Sequence, residues 1–165
     1  MKQKVIEAHM AVAETYAQLS TATRLKVGAI VVKENRVISI GYNGMPSGWS
    51  NVCEDTEFVP LNDDMNYQEM VDKGFTFGAD KDTSGFVRTI TKPEVLHAET
   101  NAIAKLARST ESGLGAVLFC THAPCLDCAK LIYQSGIEKV YYRNQYRSQA
   151  GIDFLTMSNI EVNKV

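Results

Sequence analysis

His97 and Glu99 stand one residue apart, and Cys125 and Cys128 are separated by two residues further along the chain. One imidazole and two thiolates form a ligand set for Zn²⁺, which in catalytic sites keeps its fourth position for water. Zinc brings the pKa of such a water to near neutrality. Glu99 is not needed as a ligand, and it lies close enough to the histidine to move protons on that water. Together the four residues have the makings of a metal-assisted hydrolysis. The competing reading of the metal is a structural site. That normally takes four protein ligands, and the remaining cysteines, Cys53 and Cys120, show no metal-ligand spacing. Read singly, Glu99 is a solvated first-turn acid that favours a helix dipole, and Cys125 with Cys128 is a redox pair. The order His-x-Glu before Pro-Cys-x-x-Cys is far more specific than either part.

The ligands need elements that bring them together. Val5, His9, Val12, Tyr16 and Leu19 recur at helical spacing, which predicts a first helix over about residues 2–19. Residues 26–33 read as a buried β-branched strand, Glu34-Asn35 as a turn, and residues 36–42 as a second strand that keeps its alternation only in part. Residues 43–92 are rich in Gly, Asp, Asn, Ser and Thr and show no sustained period. They read as a loop-rich insertion with a short helix near 67–73, too polar to hold a core of its own. After Pro93 the pattern becomes regular: a helix over 98–108, a break at Gly113 and Gly115, and a strand over 116–121. A helix follows that Pro124 opens and Gly136 closes, then a strand over 138–143, a short helix over 151–158 and a last strand over 160–164. The later β-α-β units require parallel pairing through right-handed crossovers. The expected fold is a three-layer α/β/α domain around a five-stranded mixed sheet. In it His97 sits at the mouth of the second helix and Cys125 and Cys128 lie in the first turn of the third. Two helix N-termini then meet beneath one pocket at the carboxyl edge of the parallel strands. Their partial positive charge favours thiolate over thiol, and backbone N–H groups near Ala98 and Cys125 are placed to fix an oxygen on the metal.

Composition narrows the substrate. One domain over residues 1–165 is expected, with a hydrophobic content of 45% and a charged content of 22% that are ordinary for a globular protein. No apolar run is long enough to cross a bilayer, and the first residues meet Glu7 and His9 before any apolar stretch, so no signal peptide is read. Four cysteines without a secretory signal favour a reducing, cytoplasmic setting. The net charge is −2, with 17 basic and 19 acidic residues spread along the chain. A chain that grips a polynucleotide usually shows a basic stripe, so a small substrate with one or a few phosphates is the better fit.

Four segments carry a resemblance: VGAIVV at 27–32, GYNGMPSG at 41–48, HAETNA at 97–102 and PCLDCA at 124–129. They resemble the deoxycytidylate (dCMP) deaminase family, within the zinc-dependent nucleobase deaminases whose signature is H-x-E…P-C-x-x-C. The Gly-Tyr-Asn-Gly segment is the more diagnostic part, because several deaminase families share the metal motif. The resemblance covers nearly the whole chain and implies a cytidine-deaminase-like fold. It also implies hydrolysis of dCMP to dUMP and ammonia, which supplies dUMP for thymidylate synthesis. One catalytic zinc per chain would be held by His97, Cys125 and Cys128, with Glu99 passing protons to N3 of the base and to the leaving ammonia. Family members are commonly hexamers, and many are activated by dCTP and inhibited by dTTP, with Mg²⁺ accompanying the effector.

By the same resemblance Asn43 hydrogen-bonds the sugar hydroxyl, and Arg24, Tyr146 and Arg147 take the phosphate. Asn43 in a Gly-x-Asn-Gly segment also reads simply as a turn residue, and the arginines as solvated surface groups. Arginine suits phosphate through its planar fork of donors. His9 reads as a partly buried helix residue, His122 as a candidate pocket wall, and Trp49 and Tyr42 as residues that pack in the insertion or stack on a base, packing being the preferred reading. Some relatives hold a second, structural zinc in the insertion and first helix. Here the insertion has Cys53 and no histidine, so no second zinc is expected. The alternatives that stand beside dCMP are dCTP and the nucleoside. A polynucleotide-editing deaminase conflicts with the acidic balance, and a non-catalytic zinc or nucleotide sensor conflicts with an intact Glu99.

Overall fold

The computed structural model describes residues 1–80 and 83–165; Lys81 and Asp82, inside the insertion, lie outside the described residues. The chain opens with helix α1 (Gln3–Ala17), which buries Ile6, His9, Met10, Ala13 and Ala17 along one stripe. Strands β1 (Gly28–Lys33) and β2 (Arg36–Tyr42) form the expected hairpin. Both turn residues take positive φ, 50° at Glu34 and 63° at Asn35, the conformation that matches the twist of a two-residue hairpin. Val31 pairs with Ser39 but Val32 pairs with Val37, so Ile38 is an extra residue on β2. This bulge is the physical reason that β2 keeps its alternation only in part.

The later elements are α3 (Ala98–Leu106), β6 (Val117–His122), α4 (Leu126–Gln134), β7 (Lys139–Asn144), α5 (Ala150–Met157) and β8 (Glu161–Lys164). The main sheet runs β2-β1-β6-β7-β8. β1 is antiparallel to both β2 and β6, whereas β6–β7 and β7–β8 are parallel, which makes the five-stranded sheet mixed. Its central strands bury both faces. Ala29, Val31, Leu118 and Val140 pack with α3, α4 and Leu155 of α5, while Ile30, Val32, Phe119 and Tyr141 pack with Ile6, Met10 and Ala13 of α1. Side chains two apart share a face, so one run of consecutive apolar residues serves both layers. Gly41 lets α3 lie directly on β2, because a Cβ there would overlap the carbonyl oxygen of Ala98 and the amide of Ala102.

The insertion differs from its loop-rich expectation. The short helix is present as α2 (Tyr67–Asp72), capped by the Asn66 side chain accepting from Glu69 N–H at 3.2 Å. Around it, β3 (Glu54–Pro60), β4 (Thr76–Asp80) and β5 (Thr83–Thr91) form a second antiparallel sheet of order β3-β5-β4. These strands are largely exposed, so they lack the alternation that a half-buried strand writes into a sequence. The stabilising contacts are tertiary. Phe86 is buried against Tyr67 and Phe77 at ring distances of 5.0 and 5.9 Å. Arg88 pairs with Glu57 at 2.6 Å and lies 4.5 Å over the Phe75 ring. Ala22, Cys53 and Val95 form a small core that ties the insertion to the segment before β1.

Candidate metal centre and cleft

His97 is the N-cap of α3 and Cys125 the N-cap of α4. Each is in extended conformation and its carbonyl accepts the first helical bond, from Asn101 N–H and Ala129 N–H, both at 2.9 Å. Cys125 thus stands just before the helix rather than inside its first turn, while Cys128 is within that turn. The close approach of α5 supports the motif: a Cβ on Gly151 would overlap the carbonyl oxygen of Pro124.

The three ligand atoms converge. His97 Nδ1 lies 3.6 Å from Cys125 Sγ and 3.3 Å from Cys128 Sγ, and all three atoms are within 4.8 Å of one another. A tetrahedral zinc with bonds of ~2.3 Å to sulfur and ~2.0 Å to nitrogen asks for ligand atoms roughly 3.5–3.8 Å apart. The donor set and its spacing therefore fit the ion. Among the described residues this is the one His, Cys, Asp and Glu grouping of that kind, and the insertion adds none. Hydrogen bonds from Cys128 and His97 pull the Cys125 thiol down to about 4, while Cys128 is pushed up because it donates to Cys125 and is buried. His97 is raised chiefly by its bond to Cys125. Thr100 Oγ1 is 3.7 Å from Cys128 Sγ and gives that sulfur a further polar neighbour.

Glu99 sits in the first turn of α3 and is only 4% exposed. Burial raises its carboxyl above the usual carboxylate range, opposed by a backbone hydrogen bond and by His97. A carboxyl held this way can carry a proton closer to neutral pH than a solvated one. The reading of Glu99 as a solvated first-turn acid is thus excluded by its burial.

These groups open into one cleft. His97, Ala98, Glu99 and Cys125 form its floor, and Asn43, His122 and Tyr146 stand among its walls. Asn43 is buried with its side chain spanning the start of β1: Oδ1 accepts from Val27 N–H at 2.7 Å and Nδ2 donates to Leu25 O at 2.8 Å. One N–H and one lone pair remain on that amide. The Gly-Tyr-Asn-Gly segment also anchors α3. Asn101 Nδ2 donates to Tyr42 O at 2.8 Å, and Gly44 and Leu96 exchange backbone bonds of 3.1 and 2.9 Å.

The cleft continues into an open, cation-bearing groove that shares His97, Cys125 and Tyr146 with it. Arg24, Lys73, Arg88, Lys92 and Arg147 line it, together with Tyr146. Lys73, Arg88 and Lys92 are paired with Glu69, Glu57 and Asp55. Among the described residues Arg24 and Arg147 have no carboxylate partner. Arg24 Nη1 donates to Thr91 Oγ1 at 3.1 Å, and the Arg147 guanidinium lies 5.5 Å from the Tyr146 ring.

His9 belongs to the core on the far side of the sheet, bonded to Asn35 at 3.0 Å and 5.2 Å from the Phe119 ring. Tyr42 is half-buried. Trp49 is not a packing residue: it is 59% exposed and lines neither cleft. Two polar wall residues escaped the sequence reading. Glu54 and Thr91 reach the inner cleft from the insertion, where Glu54 Oε1 accepts from Thr23 and Arg24 N–H at 3.0 and 3.2 Å. A carboxylate in a polar, aperiodic stretch gives no local sign of this.

The family model describing the cytidine and deoxycytidylate deaminase zinc-binding region matches residues 3–144. The chain is 37% identical to the deoxycytidylate deaminase of Enterobacteria phage T4 over 164 residues, covering 92% of this chain and 84% of that protein. It is 31% identical to ComE operon protein 2 of Bacillus subtilis, covering 94% and 71%. In structure it is similar to the dCMP deaminase of cyanophage S-TIM5 in complex with dCMP and dUMP, with a TM-score of 0.76, 43% identity and coverage of 100% and 99%.

Proposed function

This chain belongs to the cytidine and deoxycytidylate deaminase family, and from that premise we propose that it hydrolyses dCMP to dUMP and ammonia. The observation that carries the reading is the convergence of His97, Cys125 and Cys128 beside a buried Glu99 in a cleft that leads outward to Arg24 and Arg147. The deciding experiment is ammonia release from dCMP, dCTP, deoxycytidine and CMP. The expected order puts dCMP first, and turnover of dCTP or the nucleoside above dCMP overturns that choice.

The chemistry follows from the residues. His97, Cys125 and Cys128 would hold a zinc ion, whose Lewis acidity would make a water easier to ionise near neutral pH. Glu99 takes a proton from the attacking water, donates to N3 of the pyrimidine, and delivers a proton to the exocyclic nitrogen as the C4–N bond breaks. Water oxygen ends on C4, and the amino group leaves as ammonia. Ala98 and Cys125 line the cleft beside the three ligand residues, where their backbone N–H groups would orient the attacking oxygen. The remaining N–H of Asn43 serves the sugar hydroxyl. Arg24, Tyr146 and Arg147 hold the phosphate at the outer groove, where two arginines without acidic partners among the described residues give a monophosphate charge-assisted hydrogen bonds.

Residues 1–165 are read as one deaminase domain that carries the insertion on its flank. The product makes it a source of dUMP for thymidylate synthesis. A cytoplasmic setting is supported by four free cysteines, and no helix among the described residues is long and apolar enough to cross a membrane. A homohexamer activated by dCTP and inhibited by dTTP, with Mg²⁺ accompanying the effector, rests on the resemblance of residues 41–48 to regulated relatives. No polynucleotide is assigned as substrate, because the cations that line the groove are mostly neutralised by neighbouring acids.

A further inference from the structure

His122 ends β6 and stands in the wall of the inner cleft, which it shares with Glu99 and Asn43. It is not among the residues that line the outer cationic groove. Its ring is tied to the neighbouring Thr121, whose Oγ1 lies 3.2 Å from His122 Nδ1. The same Oγ1 accepts the Gly28 N–H at 3.1 Å, and Thr121 is buried. A buried hydroxyl needs an acceptor for its own proton. Among the described residues the only acceptor within reach of that hydroxyl is His122 Nδ1. This network assigns the tautomer: Nδ1 accepts, and the proton of the neutral ring is on Nε2. Burial also lowers the pKa of His122, which keeps the ring neutral.

Nε2–H has no partner among the described residues, and no buried side-chain nitrogen or oxygen among them is left unsatisfied. The Nε2–H is therefore accessible, on a ring that forms a wall of the cleft. Resting on the deaminase reading above, we infer that His122 is a specificity-determining substrate contact. It donates Nε2–H to an oxygen acceptor on the base or sugar of the bound nucleotide. The phosphate is not its partner, since that group belongs to the outer groove, and a neutral imidazole brings no charge to it. Thr121 acts as the positioning residue that sets the tautomer, and the Gly28 N–H fixes the hydroxyl in turn. The hairpin β1–β2 and the Pro-Cys segment are thereby linked through one side chain to the substrate.

Two measurements test this. In wild-type protein labelled with ¹⁵N at histidine, His122 should show the neutral Nε2–H tautomer, and its Nε2 resonance should move on addition of dUMP. A neutral Nδ1–H tautomer, or an Nε2 signal indifferent to dUMP, overturns the inference without any variant. In the second, His122→Leu should lower kcat/KM for dCMP roughly ten- to a hundred-fold, the cost of one unmade hydrogen bond. It should weaken inhibition by dUMP and by deoxyuridine by the same factor, and His122→Gln, with an amide N–H at similar reach, should recover most of the loss. Weakened dUMP with unchanged deoxyuridine makes His122 a phosphate contact and overturns the inference, as does a Leu variant with wild-type constants. The deaminase reading is judged separately, by whether wild-type protein turns over dCMP at all.

Discussion

In the proposed mechanism Glu99 is the residue on which the chemistry turns. Glu99→Gln keeps the size and burial of the side chain but removes its ability to accept a proton. Zinc content and dUMP binding should persist while turnover falls by several orders of magnitude, because proton transfer alone contributes about 10²–10⁴-fold and the same carboxyl acts more than once. Near-normal turnover in single-substrate assays would remove Glu99 from the mechanism. The ligand set makes a separate statement about stoichiometry. Purified protein should carry close to one zinc per chain by elemental analysis, and Cys125→Ala or Cys128→Ala should lose most of it; a second tightly held zinc would contradict the reading of the insertion. At the outer groove, Arg147→Ala and Arg24→Ala each remove a charged donor. The expected loss is roughly ten- to a hundred-fold in kcat/KM for dCMP with little change for deoxycytidine. Equal losses on both substrates would make the arginines structural.

Among the elements, α3 matters most, because it brings both His97 and Glu99 to the cleft. Its height above the sheet is set by Gly41, where any Cβ collides with the helix backbone at Ala98 and Ala102. Backbone cannot step aside as a flexible side chain can. Gly41→Ala should therefore lose about 1–3 kcal/mol of stability and also lower turnover, since the helix that moves carries the acid. Gly44 is the control, because a Cβ there would meet no atom within 4 Å. Gly44→Ala should leave the unfolding midpoint and turnover close to wild type. Denaturant unfolding followed alongside activity checks both, and an unaffected Gly41→Ala protein would show that α3 tolerates displacement. The insertion plays a comparable part on the opposite wall. Its second sheet delivers Glu54 and Thr91 to the cleft, and Glu54 grips the backbone at Thr23 and Arg24. It is a built wall of the site rather than a tether.

For the whole molecule, the open question is whether the active conformation is constant. A regulated homohexamer predicts sigmoidal dCMP saturation that dCTP shifts to lower substrate concentration and dTTP to higher. Effectors do this only through different affinities for two states. Saturation curves at fixed enzyme concentration decide the matter. A hyperbolic curve indifferent to both triphosphates would sink the regulation and leave the catalytic reading standing.

The sequence by itself determined the candidate metal ligands, the candidate acid beside them and the main sheet. His97, Glu99, Cys125 and Cys128 are local motifs at helix starts, and the buried strands carry long apolar runs, so each is written in residues a few positions apart. Proline before Cys125 and glycine after Gln134 marked the ends of α4 for the same reason; Gly136 takes φ 77° just past the helix. What tertiary structure decided is non-local. The second sheet is exposed on most of its surface and held by Phe86, Arg88 and Glu57, which no period connects. Trp49 was expected to pack and instead faces solvent, because burial depends on which elements arrive nearby. The proton on His122 is assigned only through a hydroxyl and an amide that lie 93 residues apart in the chain. Spacing along a chain can propose ligands, but a shared wall, a tautomer and a buried carboxyl exist only once distant strands have met.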